Sequence, residues 1–220
     1  VVGALGGLLM RAARPPAHRG AAEGGGVFSD VLTSQPRVFL LLWLGFVFIA
    51  FAALMSIGHA AGIVTDFGIP AERAHWGPML TNLVYIGAAL SAGILCDWIT
   101  GRRVIIGISG ITAIALFALY FAPSASMSLI ALALVGGAFG ASASAFPVTV
   151  TNYYGVSALP RIYGRLATSF GLAGLLGPFA AGLLYDWEGR YNYSILIAAS
   201  LALCGVVILW ALPKAKAAAR

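Results

Sequence analysis

Three groups of residues in this 220-residue chain have types and spacings that could do chemistry. The first sets a carboxylate against two guanidinium groups. Gly93, Asp97, Gly101, Arg102 and Arg103 follow one another where one apolar run ends and the next opens. A carboxylate at such a junction accepts hydrogen bonds from basic groups and from a helix N-terminus, which is the chemistry of a latch rather than of bond making. The second is His59, which lies inside an apolar run. Histidine changes charge near neutral pH, so it can carry a proton or, when charged, hold an anion; the alternative is a neutral imidazole bonded to a neighbouring helix or placed near the outer interface. The third group is neutral. Asn82 and Tyr85, three residues apart, share a helix face and offer an amide and a phenol, and Thr168 and Ser169 offer hydroxyls. Such groups either line a cavity or bond one helix to another.

No catalytic pattern accompanies them. The signatures of zinc proteases, nucleophile elbows and phosphate-binding loops are absent, and Cys96 and Cys204 have no metal or redox spacing. An enzyme is not expected, and neither is a cofactor or metal.

The elements that must position these residues follow from composition. The chain is 60% apolar and 9% charged, against roughly a quarter charged in soluble domains. That identifies an integral membrane protein. The basic residues sit in loops rather than on a polar fold, so nucleic acid is excluded as a partner and the lipid bilayer is the expected one. Apolar runs predict six spans, at about residues 38–64, 77–98, 103–122, 127–152, 162–185 and 192–212. Pro70, Pro78, Gly101, Pro123, Gly155, Pro160 and Gly189 mark the breaks between them. Residues 1–10 read as the end of a truncated transmembrane helix, 11–36 as a cytoplasmic central linker, 37–213 as the six-helix body and 214–220 as a cytoplasmic tail.

Six crossings place Arg37, Arg102, Arg103, Arg161, Arg165 and Lys214 at one end of the bundle, with the remaining basic residues of the linker and tail. Arg73 and Arg190 fall at the other end, where Asp66, Glu72, Asp186 and Glu188 outnumber them. Basic loops are retained in the cytoplasm, so the partition predicts a multi-pass protein of the plasma (inner) membrane with both ends of the fragment cytoplasmic.

A short phrase, Gly-x-Leu-x-Asp-Trp, occurs at residues 93–98 and again at 182–187. It ends the second helix of each three-helix half, on opposite faces of the membrane, as expected of inverted repeats. The fourth span carries Gly136, Gly140 and Ser144 at spacing four, a groove where another backbone can approach closely, and Pro147, which removes a helix hydrogen bond.

On these residues the chain resembles the C-terminal half of a major facilitator superfamily transporter. The segment 93–103 looks like the family's loop motif between the second and third helices of a half, with one extra residue between Asp97 and Gly101. Phe146-Pro147, Tyr153-Tyr154-Gly155, Arg161-Ile162-Tyr163-Gly164, Gly177-Pro178 and the phrase from Gly182 to Tyr191 resemble the monocarboxylate and oxalate-formate antiporter-like branch. The resemblance implies an all-α membrane fold of six transmembrane helices in two inverted three-helix repeats, half of a twelve-helix whole.

It also implies a secondary transporter moving a small organic anion, a mono- or dicarboxylate, by alternating access. The partners implied are the anionic substrate, a proton as coupling ion and the missing N-terminal six-helix half. Phe146 joins His59, Asn82, Tyr85, Thr168 and Ser169 as substrate-pathway candidates; Gly93, Asp97, Gly101, Arg102 and Arg103 form the cytoplasmic gate loop; Arg161 and Arg165, one turn apart, are expected to contact the other half. The arginine that members of the branch can carry in the eighth helix falls on Ala89, and the fifth span has no lysine, so the substrate-holding cation does not carry over. The reading from a different class is a non-transporting membrane scaffold or assembly subunit.

Overall fold

A computed structural model describes residues 35–214. The expected truncated helix at 1–10, nearly all of the expected linker and the tail beyond Lys214 lie outside the described residues. Among the described residues, the chain forms seven α-helices: α1 Pro36–Ile57, α2 Ala60–Asp66, α3 Trp76–Trp98, α4 Gly101–Phe121, α5 Ala125–Tyr154, α6 Leu159–Glu188 and α7 Asn192–Trp210. Six of them are long and apolar enough to cross a membrane, α3 and α6 each with a short 3-10 turn in front. The chain is thus a multi-pass membrane protein.

Local sequence explains the boundaries. Pro36 opens α1, where a missing N–H costs nothing. Ser124 caps α5 by accepting the Met127 amide at 3.2 Å. Gly155 and Gly189, at φ of +82° and +73°, end α5 and α6 in a conformation that side chains disfavour. The first expected span, 38–64, is divided: the helix stops at Ile57, turns through Gly58 and His59, and resumes as α2. Pro178 of α6 lies against that turn, and a Cβ at Gly58 would sit 3.1 Å from the proline ring. At 30 residues each, α5 and α6 run to about 45 Å, longer than a hydrocarbon core of about 30 Å, so they tilt or project.

The pairing of helices obeys the repeat. α3 packs along α5 as α6 packs along α1, and α4 packs on α5 as α7 packs on α1, while α4 and α7 pack on each other. Exchanging the triplet α1, α3, α4 for α5, α6, α7 reproduces the arrangement. The front row is therefore α3, α5, α1, α6, with α4 and α7 behind α5 and α1.

Lipid is as apolar as leucine, so helices associate through close packing and hydrogen bonds. The core is accordingly built around alanines, with Ala52, Ala53, Ala115, Ala131, Ala198 and Ala202 fully or almost fully buried. A Cβ at Gly136 or Gly140 would collide with the carbonyl oxygen of Thr81 or Tyr85, so the small-residue stripe of α5 receives the backbone of α3. Ser144 continues it by donating to the Ala89 carbonyl at 2.7 Å. Ser109 makes the same kind of bond from α4 to the Ala202 carbonyl of α7 at 2.7 Å, in space left by Gly205.

Candidate functional site

The expected pathway residues divide into those presented on a face and those sealed in the core. Asn82 is exposed on α3, its amide donating to the Pro78 carbonyl one turn back at 2.8 Å. Tyr85, half-buried, leans on Phe139 of α5 with ring centres 6.0 Å apart, and Phe139 stacks on Phe170 of α6 at 6.1 Å. Thr168, exposed on α6, accepts the Trp43 indole N–H of α1 at 2.9 Å. These residues form a band across the front row. Trp43, Phe139 and Phe170 belong to it and escape sequence reading, because an aromatic inside an apolar run is indistinguishable from packing until its face is known.

Two expected residues are elsewhere. Phe146 is completely buried and stacks on Phe46 at 4.3 Å, joining α5 to α1. Ser169 is completely buried, with its hydroxyl donating to the Leu166 carbonyl of its own helix. Neither side chain lines a path in this structure. A polar or aromatic residue in a helix that is apolar all round gives no sign of which way it points.

His59 sits at the break between α1 and α2 with both ring nitrogens engaged. Nε2 lies 3.0 Å from the Pro178 carbonyl oxygen of α6, and Nδ1 lies 3.0 Å from the Tyr191 hydroxyl. A carbonyl only accepts, so Nε2 carries the proton in the neutral ring and Nδ1 accepts from Tyr191. No ring nitrogen is left for a ligand. Tyr191 is held in turn: its amide donates to Asp66 Oδ2 at 2.9 Å, its ring stacks on Tyr185 at 4.5 Å, and Arg190 Nε lies 3.7 Å from Asp66 Oδ1. A Cβ at Gly62 would sit 2.5 Å from the Tyr191 hydroxyl, so Gly62 makes room for the phenol. Burial, then the neighbouring Tyr185, Asp66 and Asp186, holds that phenol above its ordinary range, and it remains a neutral hydrogen-bonding group.

The opposite, basic end is arranged differently. Asp97 is exposed and pairs with neither Arg102 nor Arg103. Arg102 turns to the end of α7, donating from Nε to the Leu212 carbonyl at 2.9 Å and from a terminal nitrogen to the Trp210 carbonyl at 2.7 Å, where unpaired carbonyls attract a cation. Gly101 packs on α5, its Cβ position 2.6 Å from the Thr149 hydroxyl, whereas a Cβ at Gly93 would meet nothing within 4 Å. Arg161 and Arg165 stand exposed one turn apart at the start of α6.

One contrast among the spans decides the setting. In α3 and α6, with their leading turns, 17% and 28% of the most apolar stretch is buried, against 39% to 61% in the other four. The second helix of each triplet thus presents an apolar face with nothing from the described residues upon it. Residues 40–220 match the model of the Major Facilitator Superfamily. The chain belongs to that superfamily. Among curated relatives it is similar to human monocarboxylate transporter 11, at 27% identity over 91% of this chain and 43% of the relative, and to human monocarboxylate transporter 14, at 24% over 82% and 36%. It is also similar to the facilitated trehalose transporter Tret1 of Polypedilum vanderplanki, at 26% over 62% and 27%. The chain spans less than half the length of these relatives. Its six spans in two exchangeable triplets fit one half of the superfamily fold, and the relatives to which it is similar are named as transporters.

Proposed function

We propose that the chain forms half of a secondary transporter for a small organic anion, a mono- or dicarboxylate, and that a preceding six-helix half completes the pathway. The observation that carries this reading is the poor burial of α3 and α6, the two helices that flank the front row. Their exposed apolar residues, Leu83, Ile86 and Leu90 on α3 and Leu175, Phe179 and Leu183 on α6, need a covering of protein or lipid. Glycines on the same two helices, Gly87 and Gly93, Gly164 and Gly171, have nothing near a Cβ position and suit close approach by further helices.

The substrate would pass along the band of Asn82, Tyr85, Thr168 and Trp43, with the other half supplying the cation that these spans lack. Asp97 would latch to a helix end of that half when the basic end closes, and Arg161 and Arg165 would meet its matching acidic loop. The protein would lie in the plasma (inner) membrane, the basic end cytoplasmic. Alternating access would follow from one half rocking on the other around this band.

The test is uptake by the intact protein in proteoliposomes, with labelled mono- and dicarboxylates in one arm and a labelled disaccharide in the other, since one relative is a trehalose transporter. Saturable carboxylate uptake, competed by unlabelled carboxylate, is the expected result. Disaccharide uptake alone would overturn the anion reading and keep transport. Correctly inserted protein that moves neither solute would favour the scaffold reading.

A further inference from the structure

α3 and α4 are consecutive helices that both lie against α5 yet hardly touch each other. Between them runs a cleft of about 380 Å³, floored by Leu134, Gly137 and Ala138 of α5. Its walls are apolar, Leu95 and Ile99 on one side and Ile111 on the other, all partly exposed along the cleft. At its basic end the lining changes character at one residue, Arg103. Arg102 beside it is committed to the carbonyl oxygens of α7, but the Arg103 side chain is exposed and has no partner among the described residues. Trp98, 82% exposed, lies at the same end, where amphipathic rings mark the headgroup level.

We propose that this cleft is a binding site for one anionic phospholipid of the leaflet at the basic end, with an acyl chain between α3 and α4 and the phosphate on Arg103. The occupant follows from the two ends of the site. A dry channel among membrane helices takes hydrocarbon, and an unpaired guanidinium at its interfacial mouth forms charge-assisted bonds with phosphate. Basic pockets between transmembrane helices hold anionic headgroups for this reason. The face is distinct from the one left for the other half: Leu83, Ile86 and Leu90 point one way on α3, whereas Val84, Ala88 and Leu95 turn toward the cleft.

Gly107 supplies a clean test, because it lines the cleft and a Cβ there would meet nothing within 4 Å. The intact protein, purified in detergent, is exposed to equal amounts of phosphatidylglycerol and phosphatidylcholine, and retained lipid is counted by native mass spectrometry. The wild-type protein is expected to keep phosphatidylglycerol about fivefold over phosphatidylcholine, the preference that one basic residue near a headgroup supplies. Arg103→Gln should bring the ratio to parity, and Arg103→Lys should restore most of it. Gly107→Leu should lower retention of both lipids by filling the channel, and Ile111→Trp, at an exposed position, should repeat that effect independently. Equal retention of the two lipids by the wild type, a preference that survives Arg103→Gln, or unchanged retention in both filling variants would overturn the proposal. So would a disulfide formed under an added oxidant between a cysteine placed at Ile111 and a second cysteine placed in the proposed preceding half, since that outcome puts protein in the cleft.

Discussion

The two copies of the Gly-x-Leu-x-Asp-Trp phrase end equivalent helices, and the turns that follow them are tied down differently. After α6, the turn is tied to its own chain by three contacts: Gly189 closes the helix on Tyr185 at 2.6 Å, Glu188 accepts the Tyr193 amide at 3.2 Å, and Asp66 reaches across from α2 to hold Tyr191, while Asp186, the phrase's own carboxylate, is exposed and, like Asp97, has no hydrogen bond or ion pair among the described residues. After α3, Ile99 is extended, Asp97 has no hydrogen bond or ion pair among the described residues, and Arg102 is the residue that ties the connector to a distant helix. A helix end with its partners supplied internally is a fixed joint. One tied to the rest of its chain by the single guanidinium of Arg102 leaves more of its turn open to a further partner, as the proposed gate at the basic end requires. The difference teaches that a repeated phrase fixes where a helix stops, while its neighbours decide how firmly that stop is tied to the rest of the chain.

The comparison breaks most readily at Tyr191, which is 7% exposed and joins His59, Tyr185 and Asp66. Tyr191→Ala removes a buried ring and leaves Gly62 facing a void, so the protein should lose about 3 kcal/mol of stability. Thermal unfolding in detergent measures it. A melting temperature equal to that of the wild type would remove the claim that this end is a fixed joint.

The carboxylates give a paired test. Asp66→Ala strips a charged acceptor from a mostly buried amide and should cost about 2 kcal/mol, nearly all of it from the Tyr191 amide, since Arg190 is half exposed and a surface ion pair adds little. Asp97→Ala, at an exposed position with no ion pair among the described residues, should change stability by less than about 0.5 kcal/mol. Its effect belongs to function: uptake by the intact protein should fall about fivefold or more, the lower range of coupling between separate sites. Equal stability losses at the two positions would erase the distinction.

His59 sharpens the same contrast on a smaller scale. With both ring nitrogens bonded, it acts as a brace between the break in α1, the Pro178 carbonyl and Tyr191. His59→Gln should cost about 1 kcal/mol, since an amide replaces one of the two bonds. The pH profile of uptake by the intact protein should match that of the wild type. A profile that flattens in the mutant would return His59 to the substrate or proton path.

Much of the fold is legible in the residues themselves. Apolar runs bounded by Gly101, Pro123, Gly155 and Gly189 mark the crossings, and the Gly136, Gly140, Ser144 spacing announces the close contact that α3 makes there. The break at Gly58 and His59 is not legible, because two residues in a long apolar run carry no stop signal strong enough to divide it; the ring of Pro178, far along the chain, receives the turn. The candidate site is less legible than the fold. Phe146 and Ser169 stand out by residue type but point into the core, and helices apolar on every side lack the polar stripe that would reveal it. The Asp66 to Tyr191 bond joins residues 125 apart, and no local pattern in either segment specifies the other.

The smallest expected effect concerns alkaline pH at the fixed joint. Burial, then the neighbouring Tyr185, Asp66 and Asp186, raises the pKa of Tyr191 in the folded protein above its ordinary value of 10.0. Between that value and the raised one, the unfolded chain loses the phenolic proton while the folded chain keeps it. The unfolded state then binds fewer protons, so stability falls as pH rises through this window; below it, both states are protonated and Tyr191 contributes no pH dependence. Tyr191→Phe removes the titrating group along with the bond to His59. It should therefore lower stability by about 1 kcal/mol at neutral pH and show a shallower decline than the wild type above about pH 10. Melting temperatures of both proteins, measured from neutral pH to about pH 11, resolve the two components. Parallel curves across the alkaline range would mean that burial at this joint does not hold the phenolic proton as the geometry requires.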